Sequence, residues 1–119
     1  MVKKLMVATL GLALSFGAAG MLVAADSSTV TGHLRDGFCY TIMGAQGASH
    51  HNCAVKCATA GIPVMLVEDK TDKGYVLLPP KDASGMPADV VSKMEDEVTV
   101  TGHEFTKNGI NYLQVESVK

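Results

Sequence analysis

Tryptophan is absent and aromatic residues make up only 5% of the chain, so beyond residue 25 the rings are limited to Phe38, Tyr40, Tyr75, Phe105 and Tyr112. Stacking platforms for bases or sugars are therefore thin. A basic field is missing as well: 10 Lys and Arg stand against 12 Asp and Glu, for a formal charge of −2. Nucleic acid and anionic lipid surfaces are poor partners for such a chain. No Cys-x-x-Cys occurs, which removes a thioredoxin-like dithiol and, with it, the Cys-x-x-Cys-His of covalent haem attachment. Gly44-Ala45-Gln46-Gly47 lacks the lysine and the length of a phosphate loop. Finally, the 3 cysteines are an odd number, so at least one of Cys39, Cys53 and Cys57 is a free thiol, a metal ligand or an intermolecular bridge.

The N-terminus has the three parts of an export signal: Lys3 and Lys4, an apolar run from Leu5 to about Val23, and the small-residue pattern Val23-Ala24-Ala25. Residues 1–25 are expected to be a signal peptide cleaved near Ala25, leaving one domain over 26–119 that is periplasmic or secreted. Membrane contact is expected only if the segment stays uncleaved. Loss of Lys3 and Lys4 makes the remainder more acidic. A domain this small buries a limited core, so a staple or a bound ion would help it. Export also means an oxidising compartment, where thiols persist as disulfides unless a metal or a reductant protects them.

Thr29 to Leu34 alternates with period two, placing Val30, Gly32 and Leu34 on one face of a half-buried strand. Its pattern returns as Thr99-Val100-Thr101-Gly102-His103. Between the two, Ile62 to Val67 is a nearly continuous apolar run suited to a covered strand, with Pro63 at its start. Asp69 to Gly74 reads as a turn and Tyr75 to Leu78 as the hairpin partner, stopped by Pro79-Pro80. Ala88 to Met94 suits a short helix with Val90, Val91 and Met94 on one side. Glu97 to Phe105 and Ile110 to Val118 form a last hairpin, turned at Lys107-Asn108-Gly109. Glu95-Asp96-Glu97 reads as a solvated helix end.

Five strands with a helical insertion after the first and a short helix before the fourth resemble the OB-fold in layout over residues 29 to 118. The fold expected is mainly β with a helical insertion: a small five-stranded OB-like barrel carrying a Cys/His-bearing loop and short helix between strands 1 and 2. A small sandwich is the alternative. The terminal His and Tyr motif of exported haem chaperones, which share such a barrel, is absent here.

All 3 cysteines and two of the 4 histidines fall between Gly37 and Gly61. The stretch starts as a Gly-rich loop through Gly44 and Gly47 and ends as an Ala-rich helix that Ser49 or Asn52 caps and that Gly61 and Pro63 terminate. Cys53 and Cys57, four apart, share a helix face. Their Cβ atoms would lie about 5–6 Å apart, too far for a mutual disulfide, which wants about 3.8 Å. Cys39 therefore either pairs with Cys53 or Cys57 or supplies a third thiolate. His50 lies on the same stripe as the pair, yet on a continuous helix it sits about 10 Å along the axis from Cys57. An Asn52 cap would instead put His50 in the preceding turn, free to fold back over Cys53.

Cys39, His50, Cys53 and Cys57 make a donor set acceptable to copper(I) and zinc, with His51 and Met43 as auxiliaries. The Cys-x-x-x-Cys pair with a histidine is similar to the copper-binding arrangement of exported copper chaperones and of dinuclear copper centres; here the histidine precedes the pair and no nearby downstream Met follows. His33 and His103, at matched positions on two strands, are a second candidate site if the strands pair closely. No third residue orients a Cys/His nucleophile, and no enzymatic activity is expected. The function expected is soft-metal binding, copper before zinc, with an exported metalloprotein or a thiol reductant as partner. The alternative is an adaptor or ligand-binding barrel in which a disulfide from Cys39 to Cys53 or Cys57 is structural.

Overall fold

The computed structural model describes residues 26–119, so the expected signal peptide over 1–25 and its cleavage near Ala25 lie outside the described residues. Five strands close a barrel in the order β1-β2-β3-β5-β4. They are β1 (Ser27–Asp36), β2 (Val64–Glu68), β3 (Gly74–Leu78), β4 (Glu97–Lys107) and β5 (Ile110–Val118). The β3–β5 pair is parallel and every other neighbouring pair is antiparallel. This is the mainly-β OB-like barrel that the alternation of the sequence implies, with the helical insertion between β1 and β2.

β1 belongs to two walls. Ser27 to His33 pairs with β4, while Gly32 to Asp36 pairs with β2. The two ladders overlap at Gly32 and His33, where β1 is paired on both sides. A Cβ at Gly32 would lie 2.1 Å from the Val67 carbonyl oxygen. Gly102, its counterpart in the repeated Thr-Val-Thr-Gly-His, meets the same limit: a Cβ would lie 2.1 Å from the Gln114 carbonyl oxygen, next to a register shift between Thr101 and Gly102. The recurrence thus marks two places where barrel strands approach closely, a use of glycine that needs no unusual φ.

Period two carries the inward face. Val30, Leu34, Val64, Leu66, Tyr75, Leu77, Val98, Val100, Leu113 and Val115 fill the barrel, and Ala54 and Val90 from helices and Met94 from a turn close it. Asp36 continues the inward phase of Val30, Gly32 and Leu34 and is buried, a carboxylate at the barrel's end. The β2–β3 connection uses Asp72 at φ 57, and the β4–β5 hairpin turns through Asn108 and Gly109 at φ 53 and 78, the positive pair that a two-residue hairpin turn requires.

The insertion has more helix than its glycines suggest. Cys39–Met43 is a short helix, α1, followed by a 3-10 turn over Ala48–His50 and then α2, His51–Thr59. α1 forms where a flexible loop is expected because Asp36 Oδ1 accepts the Phe38 and Cys39 N–H groups at 2.9 and 3.4 Å, starting the first turn. Gly44, at φ 66, ends it. α2 stops in a Schellman arrangement: Ile62 N–H bonds to Cys57 O and Gly61 N–H, with Gly61 at φ 97, to Ala58 O. Neither Ser49 nor Asn52 caps α2; His50 occupies the cap position without a side-chain bond, because the preceding 3-10 turn already orients the backbone.

The short helix before β4, α3, covers Ala88–Val91 and stops short of the Met94 expected to end it; Val90 and, in the turn that follows, Met94 are fully buried. No helix among the described residues is long and apolar enough to cross a membrane.

Gly32→Ala and Gly102→Ala are each expected to destabilise the protein by about 2–4 kcal/mol, because the clash is with backbone that cannot step aside. Gly85→Ala, where a Cβ meets nothing within 4 Å, should stay within about 0.5 kcal/mol of wild type; urea titration of the three variants checks the order.

Candidate metal centre

The end of β1 and the two insertion helices converge on one rim of the barrel. Gly37 makes the turn possible: its N–H bonds to Pro63 O at 2.9 Å, and a Cβ would lie 2.6 Å from that oxygen. The chain then delivers Cys39 to the N-terminus of α1, where it is 6% exposed. α2 contributes Cys53, exposed, and Cys57, half-buried, one turn apart. All three sulfurs lie within 4.8 Å of one another and all are free thiols. Zinc with bonds of about 2.3 Å to sulfur needs sulfurs about 3.8 Å apart in a tetrahedron, so small side-chain movements close this trio on an ion.

His50 does what its place in the preceding turn allows, but over a different partner. It joins Cys39 and Asp36 in a second group whose ligand atoms also lie within 4.8 Å. The two groups share Cys39. His50 Nε2 faces Asp36 Oδ2 at 3.6 Å, with the histidine side chain 12% and the aspartate 0% exposed. Both atoms are buried and lack a hydrogen-bond partner. Asp36 is the residue that motif reading misses. Its signal is phase alone: it is the next inward position after Leu34.

The carboxylate sets the state of the thiols. Hydrogen bonding to Asp36, then burial, then the charge of Asp36 push the Cys57 thiol up to about 12. Burial pushes Cys39 up, and Asp36 adds to it. Burial alone would raise Asp36, but bonds from Cys57, the Phe38 N–H and Cys39 outweigh it and hold the carboxyl below its ordinary value. At neutral pH the group is thus a carboxylate fed by protonated thiols, and an ion entering the trio must displace protons.

Two contacts from the segment before β4 hold the loop. Glu95 is not a solvated helix end as its neighbours suggest; it is 5% exposed at φ 73. Its Oε2 accepts Arg35 Nη1–H at 2.7 Å and the Gly47 N–H at 2.9 Å. His51 Nδ1 donates to Met94 O at 2.6 Å, so this auxiliary candidate serves as a tether and stands outside both groups. Met43, the other auxiliary, is 63% exposed at the end of α1.

His33 and His103 do not meet. In the β1–β4 ladder His33 pairs with Glu97 and His103 with Ser27, at opposite ends of the register and so about 20 Å apart at the usual rise per residue. Matched positions in two antiparallel strands run in opposite directions, which separates them. Each histidine pairs instead with an acid: His33 Nδ1 with Asp69 at 2.7 Å, and His103 Nε2 with Glu116 at 2.7 Å. His33, Asp69 and Glu97 form a third, exposed group.

Cys53 is expected to react with iodoacetamide at pH 8 at least tenfold faster than Cys57, whose thiolate fraction is about one in ten thousand at a pKa of about 12; peptide mass mapping over time reads the order. Because the folded value of Cys57 lies above its ordinary 9.0, its protonated form favours the folded state below pH 9, and that contribution fades as pH rises toward about 12. Glu95→Ala should free the Gly47 loop and raise amide exchange over residues 44–51, since it strands Arg35 and one backbone donor.

Comparison of the chain with protein-family models, with curated proteins and with solved structures gave no match, so the reading of function rests on this geometry.

Proposed function

We propose that the protein binds a soft transition metal ion, copper(I) before zinc, through Cys39, Cys53 and Cys57. The observation that carries this reading is the trio of sulfurs within 4.8 Å of one another at one rim of the barrel. Three thiolates with no oxygen among them are the donor set that soft copper(I) accepts in trigonal geometry and that zinc accepts with a fourth ligand. The protein is exported and works outside the cytoplasm, where the ion itself protects the thiols from oxidation. Cys53, exposed at the start of α2, is where the ion enters and leaves. The partner is an exported metalloprotein that receives the ion, or a thiol reductant that keeps the trio open to it. Exposed Phe38, Ile42 and Met43 border Cys39 and offer that partner an apolar contact.

The residue types of Asp36, Cys39 and His50 are also those of a thiol nucleophile triad. Cys39 is poorly placed for that work: it is buried, and burial raises its pKa, the reverse of an activated nucleophile. A binding role without enzymatic turnover is the better use of the same groups. The alternative, a structural disulfide from Cys39 to Cys53 or Cys57, draws on the same proximity and leaves one thiol unpaired.

Titration of the reduced protein with copper(I) against a chromophoric chelator is expected to give a saturable site, with each of Cys39→Ser, Cys53→Ser and Cys57→Ser weakening it by on the order of 100-fold or more. Affinity should rise with pH between 6 and 8 as thiol protons are displaced. A protein purified two hydrogens light, with a single alkylatable cysteine and no retained copper or zinc, would establish the staple and sink the metal reading.

A further inference from the structure

The pairing of His50 with Asp36 has no explanation in a single ion held by three sulfurs. Asp36 Oδ1 is engaged by the Phe38 and Cys39 N–H groups, which leaves Oδ2 buried with no partner other than the Cys57 and Cys39 thiol protons that an entering ion displaces. His50 Nε2 faces it, also buried and free, at 3.6 Å. That separation is too long for a hydrogen bond. It is close to the roughly 3.4 Å between two ligand atoms that each lie about 2.0–2.1 Å from one tetrahedral zinc ion. Cys39 Sγ stands within 4.8 Å of both.

We propose that Asp36, His50 and Cys39 form a second cation subsite, suited to a divalent ion of the zinc class, with the Cys39 thiolate bridging it to the three-sulfur site. The proposal rests on the metal-binding reading above, because Cys39 serves both ions. Carboxylate, imidazole and thiolate together are harder than three sulfurs, so the two subsites sort ions by chemistry: copper(I) to the trio, zinc(II) to the mixed set. Charge favours the pair. Three thiolates and Asp36 around one monovalent ion leave three negative charges at a partly buried spot, with Asp36 and Cys39 buried, a costly arrangement; a divalent neighbour removes two of them. On entry of the second ion the Cys39 sulfur donates to both metals, and its proton has already left to solvent with the first.

The test loads the reduced protein with one equivalent of copper(I), adds zinc(II), removes excess by gel filtration and counts both metals by elemental analysis. Cobalt(II) in place of zinc reports its ligands through thiolate charge-transfer and d–d absorption. One copper and one zinc per chain are expected, with His50→Ala abolishing zinc retention while copper affinity changes less than tenfold. Asp36→Asn should act alike, and its circular dichroism checks that α1 survives loss of charge at the bonds to Phe38 and Cys39; His50→Ala leaves those bonds intact and stands alone if it does not.

Cys53→Ser should weaken copper and spare zinc. Copper bound with no zinc retained, or zinc retained equally by wild type and His50→Ala, overturns the second subsite and leaves the first untouched. Zinc held in a His50-dependent way by a protein that binds no copper would sink the three-sulfur reading and leave the subsite standing.

Discussion

A buried carboxylate organises this end of the molecule. Asp36 occupies an inward position of β1, where the barrel would otherwise continue with an apolar side chain, and a lone charge there would be expensive. The surrounding chain answers it with donors. The Phe38 and Cys39 N–H groups start α1 against it and the Cys57 thiol comes in from α2, while His50, in the turn before α2, faces it at 3.6 Å. The helical insertion is therefore wrapped around one oxygen pair, and the sulfurs converge because the elements carrying them do.

The barrel supplies the rigidity that such a site needs. β1 spans both walls, so the position of Asp36 is set by ladders to β2 and β4 at once. The segment entering β4 is tied to β1 through Glu95 N–H to Leu34 O and Leu34 N–H to Asp96 O, and to the loop through Gly47 and His51. Glu95 holds a left-handed backbone in order to reach inward, a local strain offset by its bonds to Arg35 and Gly47. Sites on loops are usually loose; here the loop is clamped at Gly47 and at His51.

Much of the barrel was legible because strands announce themselves by phase. Val30, Gly32 and Leu34, the Asn108-Gly109 turn and the recurrence around Gly102 all gave positions that the structure keeps. Helix α1 was not legible, since its start depends on an aspartate three residues before Cys39 and its glycine-rich continuation reads as loop. Within the site, the convergence of Cys39 on Cys53 and Cys57 follows from spacing only for the last two. The spacing places His50 over Cys53, yet it faces Asp36, which strand phase marks as inward but no motif marks as part of a site. Glu95 misled for the same reason: three acids in a row look solvated until the fold turns one inward.

The sequence by itself determined the strands, their inward faces, the hairpin turns and the pairing of Cys53 with Cys57 on one helix face, because these depend on periodicities of a few residues. Only the tertiary structure decided that Cys39 completes a sulfur trio, that Asp36 and His50 meet beside it, and that His33 and His103 part. Those outcomes hang on the antiparallel register of β1 with β4 and on where β1 ends before the insertion, and a through-space distance between residues far apart in the chain has no local signature. The cluster from Gly37 to Gly61 is thus two overlapping groups joined at Cys39, with the buried carboxylate as their common neighbour.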